Sequence, residues 1–175
     1  MMKEWVALAV ATVLTAIGMY MVPSWQGIVT DVCLQAAVFA SATIALMYVT
    51  RFLGQRGITI ERIVLALFLA GMPLVYIMRW LVQRSGAGSG WLWVELLGLV
   101  VYAALAVFGL KASPWFLVVG IVGHGLAWDS WHYYTDTAYM PRWYAIACLL
   151  ADIGLGLYIA ARIPAWRDWQ RSARA

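Results

Sequence analysis

Apolar residues in this chain fall into long, nearly unbroken runs separated by short polar breaks rich in glycine, serine or proline. The runs cover about residues 5–22, 31–53, 62–82, 91–110, 114–134 and 141–162. Each is about 18–24 residues long, which at 1.5 Å per residue is the length a helix needs to cross a hydrocarbon core about 30 Å thick. None shows the two-residue alternation of a barrel strand. The pattern predicts an all-α integral membrane protein, a single bundle of six transmembrane helices. A tail over 163–175 follows, and its two tryptophans and three arginines suit a segment lying at the membrane interface. The first run is long for the core of a signal peptide and reaches Pro23 without a small-x-small cleavage site, so it reads as a retained span.

The breaks carry turn chemistry. G-Q-R-G ends the second run, S-G-A-G-S-G the third, and K-A-S-P separates the fourth and fifth. Ser113-Pro114 is an N-cap followed by proline at the first helical position, and Pro141 opens the sixth span in the same way. Gly71 and Pro73 interrupt the third run, predicting a kink and a freed carbonyl near Leu69. No internal repeat is evident, so an inverted-repeat transporter has no positive support.

Composition agrees with the class. The 175 residues are 65% hydrophobic and 11% charged, against roughly 25% charged in soluble proteins. A net charge of +4 invites a comparison with nucleic-acid binders, but the basic residues sit at the ends of apolar runs, where they meet lipid headgroups. Six spans put Lys3, Arg51, Arg56, Arg62, Lys111, Arg162, Arg167, Arg171 and Arg174 on one side and Arg79, Arg84 and Arg142 on the other. That asymmetry places both termini in the cytoplasm and makes the bilayer, not nucleic acid, the expected partner. Cys33 and Cys148 form neither a disulfide framework nor a thiol motif and read as buried apolar thiols. Trp25, Trp80, Trp91, Trp93, Trp128, Trp131 and Trp143 all fall near the outer face, a skew that anchoring alone does not require.

Candidate chemistry concentrates between Gly123 and Tyr144, in G-H-G-L-A-W-D-S-W-H-Y-Y-T-D-T-A-Y-M-P-R-W-Y, which holds both histidines. Ionisable groups inside a bilayer cost a few kcal/mol each and need a partner or a purpose. Counted from the outer ends of their helices, His124 lies about 15 Å down the fifth and Asp152 about 16 Å down the sixth. Successive helices joined by a short loop are usually antiparallel neighbours, so these two should meet near mid-membrane. Gly123, Gly125, Gly154 and Gly156 would let the two backbones approach closely. Nearer the outside, Asp129 and His132 stand three residues apart on one helical face. Asp31, Arg79 and Glu95 fall at similar depth, with Arg79 the natural counter-ion of either carboxylate.

Three function classes fit these residues. The first is a cavity open to the outer face, lined by Asp31, Arg79, Glu95, Trp93, Trp128, Trp131, Arg142 and Trp143. It would bind an amphipathic small molecule such as a lipid, quinone or isoprenoid. His132–Asp129 and His124–Asp152 are its candidate acid–base pairs. The second is a transition-metal site, for zinc, copper or iron, on Asp129 and His132 with Asp31 or Glu95. The third is an accessory subunit with no chemistry of its own, associating with copies of itself or with a membrane complex. Bis-histidine haem is disfavoured because both histidines lie on one helix about 12 Å apart. A retinal Schiff base is disfavoured because Lys3 and Lys111 are at the membrane edge, and no filter sequence or charged ring suggests a channel.

H-G-L-A-W-D-S-W-H followed by P-R-W-Y-A-I-A-C-L-L-A-D, with R-W-L and G-W-L-W-V-E-L upstream, resembles the C-terminal signature of a family of small, uncharacterised bacterial multi-span membrane proteins. The resemblance implies a location in the bacterial inner membrane and carries no activity with it. A likeness to the tryptophan-rich tetrapyrrole- and sterol-binding membrane proteins is one of composition only, since those have five spans and different proline and tryptophan motifs.

Overall fold

The computed structural model describes residues 52–54, 56–81, 90–135 and 142–172. The expected span 5–22, nearly all of 31–53, and with them Asp31 and Cys33, lie outside the described residues, as do the side chains of Arg142 and Trp143. Within hydrocarbon a chain must pair its own backbone donors and acceptors, and a helix does so within a single segment. The described chain is accordingly helical throughout, apart from a turn at 112–114.

Helix α1 covers Arg56–Leu81, α2 Gly90–Lys111 and α3 Trp115–Gly123. A π-helical turn, His124–Asp129, joins α3 to the short α4, Ser130–Thr135, and α5 covers Arg142–Ser172. Backbone angles remain right-handed helical at Gly123, His124 and Ser130, so α3, the π turn and α4 are one continuous rod. The helices Arg56–Leu81, Gly90–Lys111 and, within α5, Tyr144–Trp169 are long and apolar enough to cross a membrane. The rod over 115–135 is the fifth apolar run of the sequence, built in three pieces.

Burial is inverted relative to a soluble protein. Leu67, Phe68, Val100, Phe108 and Val119 face outward, while Glu61, Glu95, His124, Asp129, His132 and Asp152 are buried. Apolar side chains turned outward suit a lipid solvent, and intramembrane ionisable residues belong in the bundle interior, where they can pair. The apolar core runs through all the long elements: Leu65 and Leu69 of α1, Tyr102 and Ala106 of α2, Leu117 and Ile121 of α3, and Leu155, Tyr158 and Ile159 of α5. The rod packs along α5 for its whole length and, through α3, against α2.

Two boundaries differ from the hydropathy pattern. Helix α1 begins at Arg56, before the apolar run, and so carries Glu61 into the bundle beside Arg62. Helix α5 does not stop near Arg162 but continues through Pro164 to Ser172. Part of the expected interfacial tail therefore belongs to the core: Ile163 and Trp166 are buried, while Arg167 and Asp168 are exposed. The reason is Glu61, whose buried carboxylate accepts bonds from Trp166 Nε1 at 2.9 Å, Tyr158 Oη at 2.5 Å, and Arg162 Nε and Nη2 at 2.8 and 2.9 Å. A buried carboxylate satisfied by so many donors fixes the helix that supplies them. Beside it, Arg62 donates to the carbonyls of Gly109 and Leu110 and so caps the last turn of α2 with a positive charge. Pro73 lies inside α1, which is helical on both sides of it.

Candidate functional site

The π turn organises the site. In an α-helix, residues five apart point about 140° away from each other. A π turn hydrogen-bonds i to i+5, as Ser130 N–H does to the Gly125 carbonyl, and so brings the fifth residue back over the first. His124 and Asp129 thereby share a face, with His124 Nδ1 3.5 Å from Asp129 Oδ2. Turns of this kind recur at functional sites.

Two polar layers stack along this face. In the deeper one, His124 Nδ1 donates to Asp152 Oδ2 at 2.8 Å, across the interface between the rod and α5. This is the pair that matched depth predicts. Gly125 admits the approach: a Cβ there would lie 2.9 Å from Asp152 Cβ and 3.2 Å from the Leu149 backbone. Gly156 meets Val122 on the same interface, whereas a Cβ at Gly123 would meet nothing within 4 Å among the described residues. In the second layer, nearer the C-terminal end of the rod, His132 Nε2 sits 2.9 Å from Glu95 Oε1, both side chains fully buried. Glu95 Oε2 accepts from Trp128 Nε1 at 3.1 Å. The indole lies over Gly98, where a side chain would collide with the ring.

Tyr76, on α1, joins the layers. Its ring stacks on His132 with centroids 4.1 Å apart and planes 12° from parallel. Its hydroxyl donates to Asp129 Oδ1 at 2.5 Å. Tyr76 is absent from the site expected from sequence, which was built from charged groups, histidines and tryptophans. Depth alone was legible, since Tyr76 lies six residues before Val82 and Asp129 five before Tyr134, a similar distance from the ends of their runs, while the way each side chain faces was not. Glu61, Tyr158 and Arg162 likewise fall at matched depth, at the opposite end of the bundle.

The expected site residues fall into distinct places. Asp129 and His132 share the rod, with Asp129 facing Tyr76 and His124, and His132 facing Glu95. Trp131 packs against Trp91, Trp128 and His132. Trp93 is turned outward, 71% exposed. Arg79 is exposed near the C-terminal end of α1. Asp31, and the side chains of Arg142 and Trp143, lie outside the described residues.

Between α1 and α5 is a cavity of about 310 Å³. Its walls are Leu67, Phe68, Gly71, Met72, Val75 and Tyr76 from α1, His124 from the π turn, and Tyr144, Cys148, Ala151 and Asp152 from α5. The deeper polar layer thus forms part of a mostly apolar wall. Cys148, a free thiol, is half-buried there. Among the described residues, His124, Asp129 and Asp152 are also a group able to hold a metal ion, each offering a ligand atom within 4.8 Å of the others.

No protein-family model matches this chain, and neither a curated protein nor a solved structure is similar to it. That agrees with the resemblance to a family without an established activity, and leaves function to be argued from the site.

Proposed function

We propose that this protein takes an amphipathic small molecule, of lipid, quinone or isoprenoid kind, from the bilayer into the cavity between α1 and α5. The observation that carries the proposal is the make-up of the cavity wall: an apolar lining with His124, Asp152, Tyr144 and Cys148 converging on it. Ligand sites of this sort have volumes of about 300–1,000 Å³ and place a few polar groups in an apolar wall to fix orientation. The lining suits a molecule with a hydrocarbon body and one polar end, which His124 and Asp152 would orient. Their hydrogen bond is also the arrangement of a general acid–base pair, so proton transfer to or from a bound group is within their chemistry.

The site here is deeper than the outer cavity expected from sequence, and uses His124–Asp152 in place of Asp31, Arg79 and Glu95. The wider proposal is a six-span protein of the bacterial inner membrane with both termini cytoplasmic. Cysteines introduced at Ser85 and Ser172 should then label from opposite sides.

Cys148 supplies the test of binding. In full-length Cys33→Ser protein it is the sole thiol and lies on the cavity wall. A membrane-permeant maleimide should label it, and a short-chain quinone or farnesol should slow labelling in a saturable way. Mass spectrometry of the purified protein should find a co-purified lipid-soluble molecule. Labelling indifferent to every such compound, with nothing co-purified, would leave an accessory subunit as the better description.

A further inference from the structure

We infer that His124, Asp129 and Asp152 are ligands of one divalent transition-metal ion, held where the π turn meets α5. The inference goes beyond the cavity proposal and does not require a bound small molecule: with the ion bound, His124 Nδ1 gives up its proton and ligates the metal in place of donating to Asp152. It also differs from the metal site expected from sequence, because its histidine is His124 and it needs neither His132 nor Asp31.

Geometry is the first support. Zinc-like ions hold imidazole nitrogen at about 2.0–2.1 Å and carboxylate oxygen at about 2.0–2.2 Å, so two ligand atoms in a tetrahedral shell stand roughly 3.3 Å apart. His124 Nδ1 is 2.8 Å from Asp152 Oδ2 and 3.5 Å from Asp129 Oδ2, values that bracket that separation. Three protein ligands leave a fourth position, the pattern of a catalytic rather than a closed structural centre.

The second support is an unfilled acceptor. Asp129 is fully buried, and while its Oδ1 is bonded by Tyr76, its Oδ2 has no hydrogen-bond partner among the described residues and faces the His124 ring nitrogen at 3.5 Å. Buried polar atoms are rarely left in that state. Two carboxylates also share a single imidazole, so even a protonated His124 leaves the trio one negative charge in excess. A divalent cation balances two carboxylates and a neutral imidazole, and mixed imidazole–carboxylate donors suit zinc, iron or manganese. Tyr76 completes the arrangement as an outer-shell donor that fixes the Asp129 carboxylate.

The test uses the full chain in detergent or nanodiscs, stripped with chelator, reloaded with zinc and dialysed. Elemental analysis should find about one zinc per chain in wild type and in Asp168→Asn, an exposed carboxylate on the same helix as Asp152. Asp129→Asn and Asp152→Asn should fall to background. Tyr76→Phe, which keeps the ring, should bind zinc about 10–100-fold more weakly, as loss of an outer-shell partner does. Should the asparagine variants fail to fold, X-ray absorption of zinc-loaded wild type decides: one imidazole with oxygen neighbours supports the assignment. A sulfur neighbour, two imidazoles, or substoichiometric zinc in wild type would overturn it.

Discussion

Tyr76 lies flat on His132 while its hydroxyl reaches past that ring to Asp129. One residue of α1 thus holds both polar layers of the rod in register. A stacked ring and a buried hydrogen bond contribute separately, and conservative substitutions separate them. Tyr76→Phe keeps the stacking and removes the bond, leaving Asp129 short of a donor. Thermal unfolding in detergent should show a loss of about 1–3 kcal/mol, the cost of an unsatisfied buried polar group. Tyr76→Leu should cost more, since the aromatic contact, worth about 0.5–1.5 kcal/mol, goes as well.

At the opposite end, Glu61 is fully buried and Arg162 nearly so, joined by two hydrogen bonds. Removing the arginine strands the carboxylate. Arg162→Ala should destabilise by about 3–5 kcal/mol, as breaking a buried pair does. The double variant Glu61→Gln with Arg162→Met should recover much of that loss, because neither partner is then left charged and alone. Denaturant unfolding of the three proteins measures the difference. If Arg162→Ala is no weaker than wild type, Glu61 does not anchor the end of α5.

Gly125 sits against backbone as well as side chain, so a larger residue cannot be accommodated by a rotamer change alone. Gly125→Ala should cost about 1–3 kcal/mol through overpacking, although alanine is the better helix former. Gly123→Ala, where a Cβ meets nothing within 4 Å among the described residues, should be neutral or mildly stabilising. Comparing the two melting temperatures tests the close contact of the rod with α5. Equal behaviour of the two variants would contradict it.

Hydropathy determined much by itself. The runs 62–82 and 91–110 became α1 and α2 with shifts of a few residues. The length and apolarity of such runs are set by the bilayer, so no tertiary partner is needed to read them. The meeting of His124 with Asp152 was also legible, because depth along a helix follows from residue count and neighbours joined by a short loop run antiparallel. Rotation about the helix axis was not legible in the same way. Which residues share a face depends on every hydrogen bond being i to i+4, and the turn from His124 to Asp129 departs from that rule. The local sequence carries no mark of the departure, and the bonds of Asp129 to Tyr76 and of Glu61 to α5 are contacts between distant segments. Packing of α1 and α5 against the rod therefore decided what residue count could not: that Asp129 turns toward His124, that Tyr76 spans the two layers, and that α5 outlasts its apolar run.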